Sequence, residues 1–402
     1  MTDGKEKRRQ MRRFTALRWF APVAAVTTLL GMGMITPSSS ASAASASCWA
    51  TATSAASCGG MSALVTAAKA EGHLTVTTDP PTWANYGNII KDFEHKYGIK
   101  ILDTNPNGTS ADEINEINLD KGKADEPDVL DMGVSFAQEA VTGEPGVFTG
   151  PILARYKTTE WNELPATWKD PQGYWAYDYA GVVAIGYNAS VVKTPVTTWS
   201  DLEGSEFKDA VGLDNNPTSS GAGFGAVMAA AVDNGGSVNN IQPGINFFQT
   251  LKNDGNFNPI EAGGAGDAPM ADKTVLATID WTYNQLSWKQ ELAKSPGIDW
   301  KIVVPSGKPY ASYYAMAISR YAPHPAAARL WLEYLYSPTG QNLWAIGGAV
   351  PSTWTTMVKL GTANTAAKAS IPTLSSTPII ATPTEVTAQT AVVTKEWASA
   401  VG

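Results

Sequence analysis

LTVTTDPPTWANYGNIIKDFEHKYGIKIL, residues 74–102, carries the pattern that decides the fold. Leu74-Thr75-Val76-Thr77-Thr78 is a β-branched run that stops at Asp79-Pro80-Pro81, which predicts a strand feeding a loop. Trp83, Tyr86, Ile89, Ile90 and Phe93 then recur at spacings of three and four, the stripe of an amphipathic helix. Gly98 ends that helix, and Ile99-Lys100-Ile101-Leu102 reads as a second strand, so the unit is β-α-β.

The same alternation extends in both directions. Met61–Ala70 has helical spacing, Ile114 and Ile117 mark a helix, and Asp128–Met132 and Gly181–Tyr187 read as strands. Val211–Leu213 opens into Asp-Asn-Asn-Pro-Thr-Ser-Ser-Gly and an Ala-rich helix from about Gly223 to Val232. Val275–Asp280, Trp300–Val304 and Tyr313–Ser319 read as further strands, and Pro325–Tyr336 as a helix. Such alternation predicts an α/β sheet, with ligands held beyond the carboxyl ends of strands. No internal repeat is present, and the tail after about Gly361 is Thr/Ala/Pro-rich until a short helical stretch near Trp397.

The 402 residues are 44% hydrophobic and 16% charged, a folded composition, and at roughly 150 residues per domain the length suggests two domains. Residues 1–43 carry seven Lys/Arg against two Asp/Glu, a balance of +5; with a total of −8 this leaves −13 for the rest. That acidity, without clustered Lys/Arg, argues against nucleic acid and anionic membrane as partners. The basic start, an apolar run of about 15 residues from Ala21, and small residues at Ala41-Ser42-Ala43 predict a secretory signal, too short for the roughly 20 residues of a spanning helix. Cleavage is expected near Ala43 or Ala46. Arg12-Arg13-Phe14 resembles part of a twin-arginine signal, and Cys48 resembles a lipoprotein site, although Ser45 stands where Leu is usual. Cys48 and Cys58 are the only cysteines, and export predicts that they form a disulfide stapling the amino end, with lipidation of Cys48 as the alternative.

Catalytic signatures are scarce. His73, His95 and His324 fall in different elements, so a zinc site is not expected, and G-x-S-x-G and H-E-x-x-H patterns are missing. Gly221-Ala222-Gly223-Phe224-Gly225 has the wrong spacing for a dinucleotide loop. Pro217-Thr218-Ser219-Ser220-Gly221 reads instead as a helix start, either a simple cap or a seat for a negative group. Acid and aromatic residues meet in three loops: Asp79 with Trp83 and Tyr86; Asp178 among Tyr174, Trp175, Tyr177 and Tyr179; and Asp280 with Trp281 and Tyr283. A carboxylate flanked by ring faces suits a small organic cation.

Taken in order, LVTAAKAEGHLTVTT, FEHKYGIKI, KADEPDVLDMG, AIGYNASVVKTPVTTWSDL, NPTSSGAGFG, AMAISRYAPHPAAARLWLEYLYSPTGQ and GGAVPS make the chain resemble, over about residues 61–355, an extracellular solute-binding protein of an ABC importer. The subgroup it resembles binds polyamines, ferric iron, thiamine or aminoethylphosphonate. The resemblance implies an α/β type II periplasmic-binding-protein fold, with two lobes, each a mixed sheet flanked by helices, joined by crossover strands and closing on ligand without catalysis. The expected divisions are 1–43 signal, 44–60 linker with the Cys48–Cys58 bond, 61–183 lobe 1, 184–280 lobe 2, 281–320 return to lobe 1, and 321–402 lobe 2 and tail.

Trp83-Ala84-Asn85-Tyr86 resembles the Trp-x-x-Tyr of polyamine binders, Ser135 falls where they place a Ser, Asp280-Trp281 falls where they place an aromatic wall, and Tyr310, Tyr313 and Tyr314 lie on or beside the next strand. Polyamine binders place acids at the second-lobe helix start, where this chain has Asn215, Asn216, Thr218, Ser219 and Ser220, so a two-ended cation fits less well. Iron binders carry neighbouring tyrosines where this chain reads Ile279-Asp280-Trp281-Thr282-Tyr283. The expected ligand is a small organic amine or zwitterion. Asp79, Asp178 or Asp280 with Trp83, Tyr177 and Trp281 would hold its cationic end, and Ser219, Ser220 and the helix start its anionic or polar end, with Tyr86, Ser135, Asn216, Tyr310 and Tyr313 as further expected ligand contacts. A membrane permease is the expected partner of an exported monomer, with no cofactor. The rival reading is a secreted carbohydrate-binding protein or glycoside hydrolase using an aromatic, acidic cleft.

Overall fold

The computed structural model describes residues 48–261, 266–374 and 376–402; the signal read in residues 1–43 lies outside the described residues. The described residues begin at Cys48, which is bonded to Cys58, Cα to Cα 6.0 Å, with Trp49 buried beneath. Helix α1 (Gly60–Glu71) stops at Gly72 in the left-handed region. Strand β1 (His73–Val76), helix α2 (Tyr86–Tyr97) and strand β2 (Lys100–Asp103) follow, and β1 pairs with β2 in parallel from His73↔Lys100 to Val76↔Asp103. This is the expected β-α-β unit. It forms its own two-stranded sheet, tied to the next strand where Asp128 accepts from and donates to the backbone of Thr75, each at 2.8 Å.

Helix α3 (Ser110–Asp120) starts on a capping box between Thr109 and Asp112. Strand β3 (Val129–Gly133), fully buried, runs directly into helix α4 (Val134–Thr142). Strand β4 (Trp175–Asn188) is buried along its whole length and begins earlier than the sequence suggests. Strand β5 (Val211–Leu213), helix α5 (Gly221–Asp233), helix α6 (Gln242–Asn253) and strand β6 (Phe257–Glu261) build the second half, with β7 (Ala277–Trp281), helix α7 (Thr282–Leu292) and β8 (Trp300–Val303). Strand β9 (Tyr310–Ser319) then returns, followed by α8 (Pro325–Tyr336), α9 (Pro338–Ile346) and α10 (Pro383–Ala400).

Strand β4 joins the halves. Its residues Trp175–Val182 pair antiparallel with β9, which also pairs with β3, whereas Val183–Asn188 pair with β7 and β8. A continuous strand shared by two sheet regions is a crossover, as the fold class requires.

Two expected divisions are corrected. Strand β8 still pairs with Ile185–Asn188, so the return to the first half falls between Val303 and Tyr310, later than 281. Helix α8 packs on α1 and α9 on α2, so 325–346 belongs with the first half. Helix α10 packs on both halves, against α4 and α6. It has 18 residues, much longer than the short stretch expected near Trp397. Its Ala, Thr and Val residues give little stripe, but Pro383 and the Thr382/Glu385 capping box start it firmly.

Candidate functional site

A cavity of about 90 Å³ lies at the junction of the halves. The first half contributes Thr78, Trp83, Asn107, Thr109, Ser110, Glu113, Asp131 and Tyr314; the second contributes Asp214, Asn215, Ser220, Gly221, Asn284 and Trp288. The halves meet backbone to backbone beside it. A Cβ added to Gly221 would lie 3.1 Å from the Gly133 Cα and 3.2 Å from the Tyr314 hydroxyl, so glycine permits the approach. Across the same seam the Ala111 amide donates to the Ser219 carbonyl at 3.4 Å.

Asp131, at the end of β3, anchors the floor. Its Oδ2 accepts from the hydroxyls of Tyr86 at 2.8 Å and Tyr179 at 2.7 Å, and the Tyr179 oxygen in turn accepts from the Trp83 indole at 2.7 Å. The Asp131 amide donates to Glu113 Oε2 at 2.8 Å. This leaves Asp131 Oδ1, Glu113 Oε1 and Asn284 Oδ1 buried without a donor. Burial raises the Asp131 carboxyl to about 6 against the two tyrosine hydrogen bonds that lower it, and lifts Glu113 well above the usual carboxylate range, with the Asp131 charge adding to it. Among the described residues no Lys, Arg or His lines the cavity. Among the described residues no group of three or more His, Cys, Asp and Glu is placed to hold a metal ion.

Aromatic rings wall the site. Trp83 meets Tyr314 edge-on at 5.5 Å and Tyr283 at 5.7 Å, while Tyr179 stacks on Tyr314 at 5.6 Å. The loop presenting Trp83 is strained: Thr78, Ala84 and Asn85 all have positive φ, each costing on the order of 1–3 kcal/mol. Asn85 offsets part of this by donating to the Leu343 carbonyl at 2.7 Å.

The structure brings together some of the sequence candidates and separates others. Trp83 and Ser220 line the cavity, Ser220 as the cap of α5, its Oγ accepting from the Gly223 amide. Tyr86 stands behind it, fixing Asp131. Asp79 is buried beside the lining residues Thr78 and Pro80, its carboxyl raised by burial and then by Asp131. Asp280 and Trp281 sit beneath, the indole donating to the Tyr314 hydroxyl at 3.3 Å; burial, then Asp214, raises Asp280. Ser135, Tyr313 and Trp281 line a separate small cavity of about 10 Å³.

Asn216 and Ser219 do not reach the main cavity; Asn216 Oδ1 accepts from the Thr218 amide and hydroxyl, and the Ser219 hydroxyl from its own loop donates to the Asn216 carbonyl. Tyr177, Asp178, Tyr310 and Tyr313 are also outside it. Tyr177 and Tyr313 stack at 4.9 Å, and Tyr310 is buried with its hydroxyl unpartnered. The cause is a bulge. Tyr313 pairs with Ala180 and Ala315 with Tyr177, so Tyr314 opposes both Asp178 and Tyr179. Such an extra residue re-aims side chains, and it stacks Tyr179 with Tyr314 at the cleft, apart from the Tyr177–Tyr313 pair.

Glu113, Asp131, Asn284 and Trp288 were not singled out by the sequence. The loop Asn105-Pro106-Asn107-Gly108-Thr109-Ser110 between β2 and α3 carried the available signal, a strand opening through turn residues into a helix start.

Two α/β halves, a shared strand and a polar cleft at their junction define a type II periplasmic binding protein. A family model for bacterial extracellular solute-binding proteins matches residues 128–375, and the chain belongs to that family. Solved structures agree on the fold. The periplasmic binding protein P5PA superposes with a TM-score of 0.62 at 17% identity, covering 82% of this chain and 100% of its own. AfuA from Actinobacillus pleuropneumoniae, with fructose-6-phosphate bound, gives 0.62 at 17%, covering 82% and 99%. The apo ferric ion-binding protein A of Pasteurella haemolytica gives 0.58 at 18%, covering 82% and 98%. No curated protein sequence matches. At these identities the likeness carries the fold and leaves the ligand to the site.

Proposed function

We propose that the protein captures a small organic cation, an amine or the ammonium end of a zwitterion, and delivers it to the membrane permease of an ABC importer. The observation that carries this reading is the pair of buried oxygens without a donor among the described residues, Asp131 Oδ1 and Glu113 Oε1, in a cavity with aromatic walls whose described lining holds no basic residue. Buried acceptors call for donors, and a cation both supplies them and neutralises the carboxylates. The start of α5 at Ser220-Gly221, opposite these acids, suits a zwitterion's negative end.

The cavity's size narrows the ligand. At about 90 Å³ it suits a short amine or zwitterion better than a long polyamine. A sugar phosphate such as the one named for AfuA would set its negative charge against Asp131 and Glu113 without a Lys or Arg to receive it. Relative to the sequence reading, the cationic end moves from Asp79, Asp178 or Asp280 to Asp131 and Glu113, with Trp83 retained.

Isothermal titration of the purified protein against short amines, betaines, aminoethylphosphonate, thiamine, fructose-6-phosphate and ferric citrate tests the proposal. Saturable binding of an amine or zwitterion is expected. Binding confined to the sugar phosphate or to iron overturns it. Contacts from both halves would then favour the closed state, which a permease can read.

A further inference from the structure

Every arginine of the chain beyond Arg18 lines one cavity. Arg155, Arg320 and Arg329 are far apart in sequence, yet they converge on a hollow of about 420 Å³ with Thr51, Thr53 and Tyr174. It lies on the first half, beside the disulfide-bonded amino-terminal segment, and shares no lining residue with the cleft. Among the described residues no Asp or Glu lines it. In a body carrying −13, such a concentration of uncompensated positive charge stands alone among the described cavities.

The guanidinium groups are held in place without being neutralised. Arg329 is 1% exposed and donates to three carbonyls, of Ala52 at 3.0 Å, Pro325 at 2.8 Å and Ala50 at 3.5 Å. Arg320 donates to the Pro151 carbonyl at 3.4 Å, and Arg155 lies over the Tyr174 ring at 5.4 Å. None of the three makes an ion pair among the described residues. The acids near Arg329 are engaged elsewhere. Glu71 accepts from the amides of Ala326 and Ala327, and Glu333 from the Tyr156 hydroxyl and the Thr159 amide. Burying a guanidinium beside two exposed ones is unfavourable unless an anion faces them. The fork geometry of Arg, with threonine hydroxyls beside it, matches tetrahedral oxyanions with several charged oxygens.

We propose that this cavity binds a phosphate-type oxyanion, either free phosphate or the phosphodiester of a lipid headgroup. The site is independent of the cleft and of the ligand assigned there. As a lipid contact it would seat the first half on the membrane surface, close to a permease, against the sequence expectation, because the three arginines cluster in space and not along the chain; as a phosphate contact it would staple the amino-terminal segment to α8.

The test compares the wild-type protein with the Arg155→Gln/Arg320→Gln double variant, whose altered side chains are exposed and outside the cleft. Inorganic phosphate is titrated by calorimetry at constant ionic strength, with acetate as the control. Vesicles of phosphatidylglycerol in phosphatidylcholine are compared with pure phosphatidylcholine by co-sedimentation. The expected result is wild-type binding of phosphate, of the anionic vesicles, or both, weakened about tenfold or more in the double variant while amine binding in the cleft is unchanged. Binding of phosphate alone assigns a soluble ligand, and binding of vesicles alone assigns lipid. Wild-type protein that binds neither, binds acetate as tightly as phosphate, or binds no better than the double variant overturns the proposal.

Discussion

Replacing Asp131 by Asn removes one negative charge from the cleft floor while keeping its shape. The side chain is 5% exposed, and burial lifts its carboxyl to about 6, against about 3.9 in an unfolded chain. A folded-state pKa above the unfolded one makes the charge a burden. The burden is absent below about pH 4, grows as pH rises through the interval, and is complete above about pH 7. Two pKa units correspond to about 3 kcal/mol. The amide oxygen of Asn still accepts from Tyr86 and Tyr179, so the floor keeps its hydrogen bonds. Without ligand, Asp131→Asn is therefore expected to be more stable than wild type by about 1–3 kcal/mol near pH 7.5 and by almost nothing near pH 4. Its affinity for a cationic ligand should fall about 10- to 100-fold, the loss of a charge-assisted contact of about 1.5–3 kcal/mol. Urea unfolding at both pH values and calorimetric titration with an amine measure the two effects. Equal destabilisation at both pH values would refute the buried-charge account, and stabilisation with undiminished affinity would refute the role in binding.

Wild-type affinity should itself depend on pH: a cation displaces the proton that Asp131 holds below about 6, so affinity drops about tenfold per pH unit below that value and binding releases protons, measurable in buffers of different ionisation heat. An affinity rising in acid would indicate an anionic ligand. Gly221→Ala should weaken binding by forcing the halves apart at Gly133 and Tyr314 while leaving unfolding stability nearly unchanged; small-angle scattering would show a larger radius, and an unaltered radius and affinity would contradict the contact. Cys48→Ser with Cys58→Ser should cost about 2–3 kcal/mol for a bond spanning 10 residues, read by denaturant unfolding, whereas a smaller loss would show that Trp49 and Arg329 hold the segment unaided.

The β-α-β unit was legible because its signals are local. The β-branched run of β1, the stripe of α2 and Gly98 each act within a few residues. Trp83 was legible because it falls in the loop that such a unit offers to ligands. Asp131 and Glu113 were not, because each is a single acid in an unremarkable element, and their importance arises only where β3 and α3 meet. Aromatic density misled in the same way. Tyr177 and Tyr313 look equivalent to Tyr179 and Tyr314 in sequence, and only the bulge at Asp178–Tyr179 separates the two stacked pairs. The late return of the chain at 304–309 is likewise a matter of which strand β8 chooses to pair with, a long-range choice that short-range patterns do not encode.

Acids from both halves surround the junction: Glu113 and Asp131 on one side, Asp214 and Asp280 on the other. Burial, and after it the neighbouring Asp214 and Asp131, raise the carboxyls of Asp280 and Glu113, so part of the closed state's cost is the removal of water from these acids. Without a guest, that cost is relieved by taking up protons or by letting the halves separate and water return. A cation relieves it in place. Its differential affinity for the closed arrangement thus has two sources, direct contacts and the charge it cancels, and moving an equilibrium from 1:99 to 99:1 needs about 5.5 kcal/mol of such difference. Two charge-assisted contacts of about 1.5–3 kcal/mol each reach that scale. A neutral guest of the same size would make the contacts and leave the charge uncancelled. The acid pair at the floor therefore selects its ligand by sign as well as by shape, and the glycine contact at Gly133 and Gly221 lets the halves come close enough for that selection to be felt.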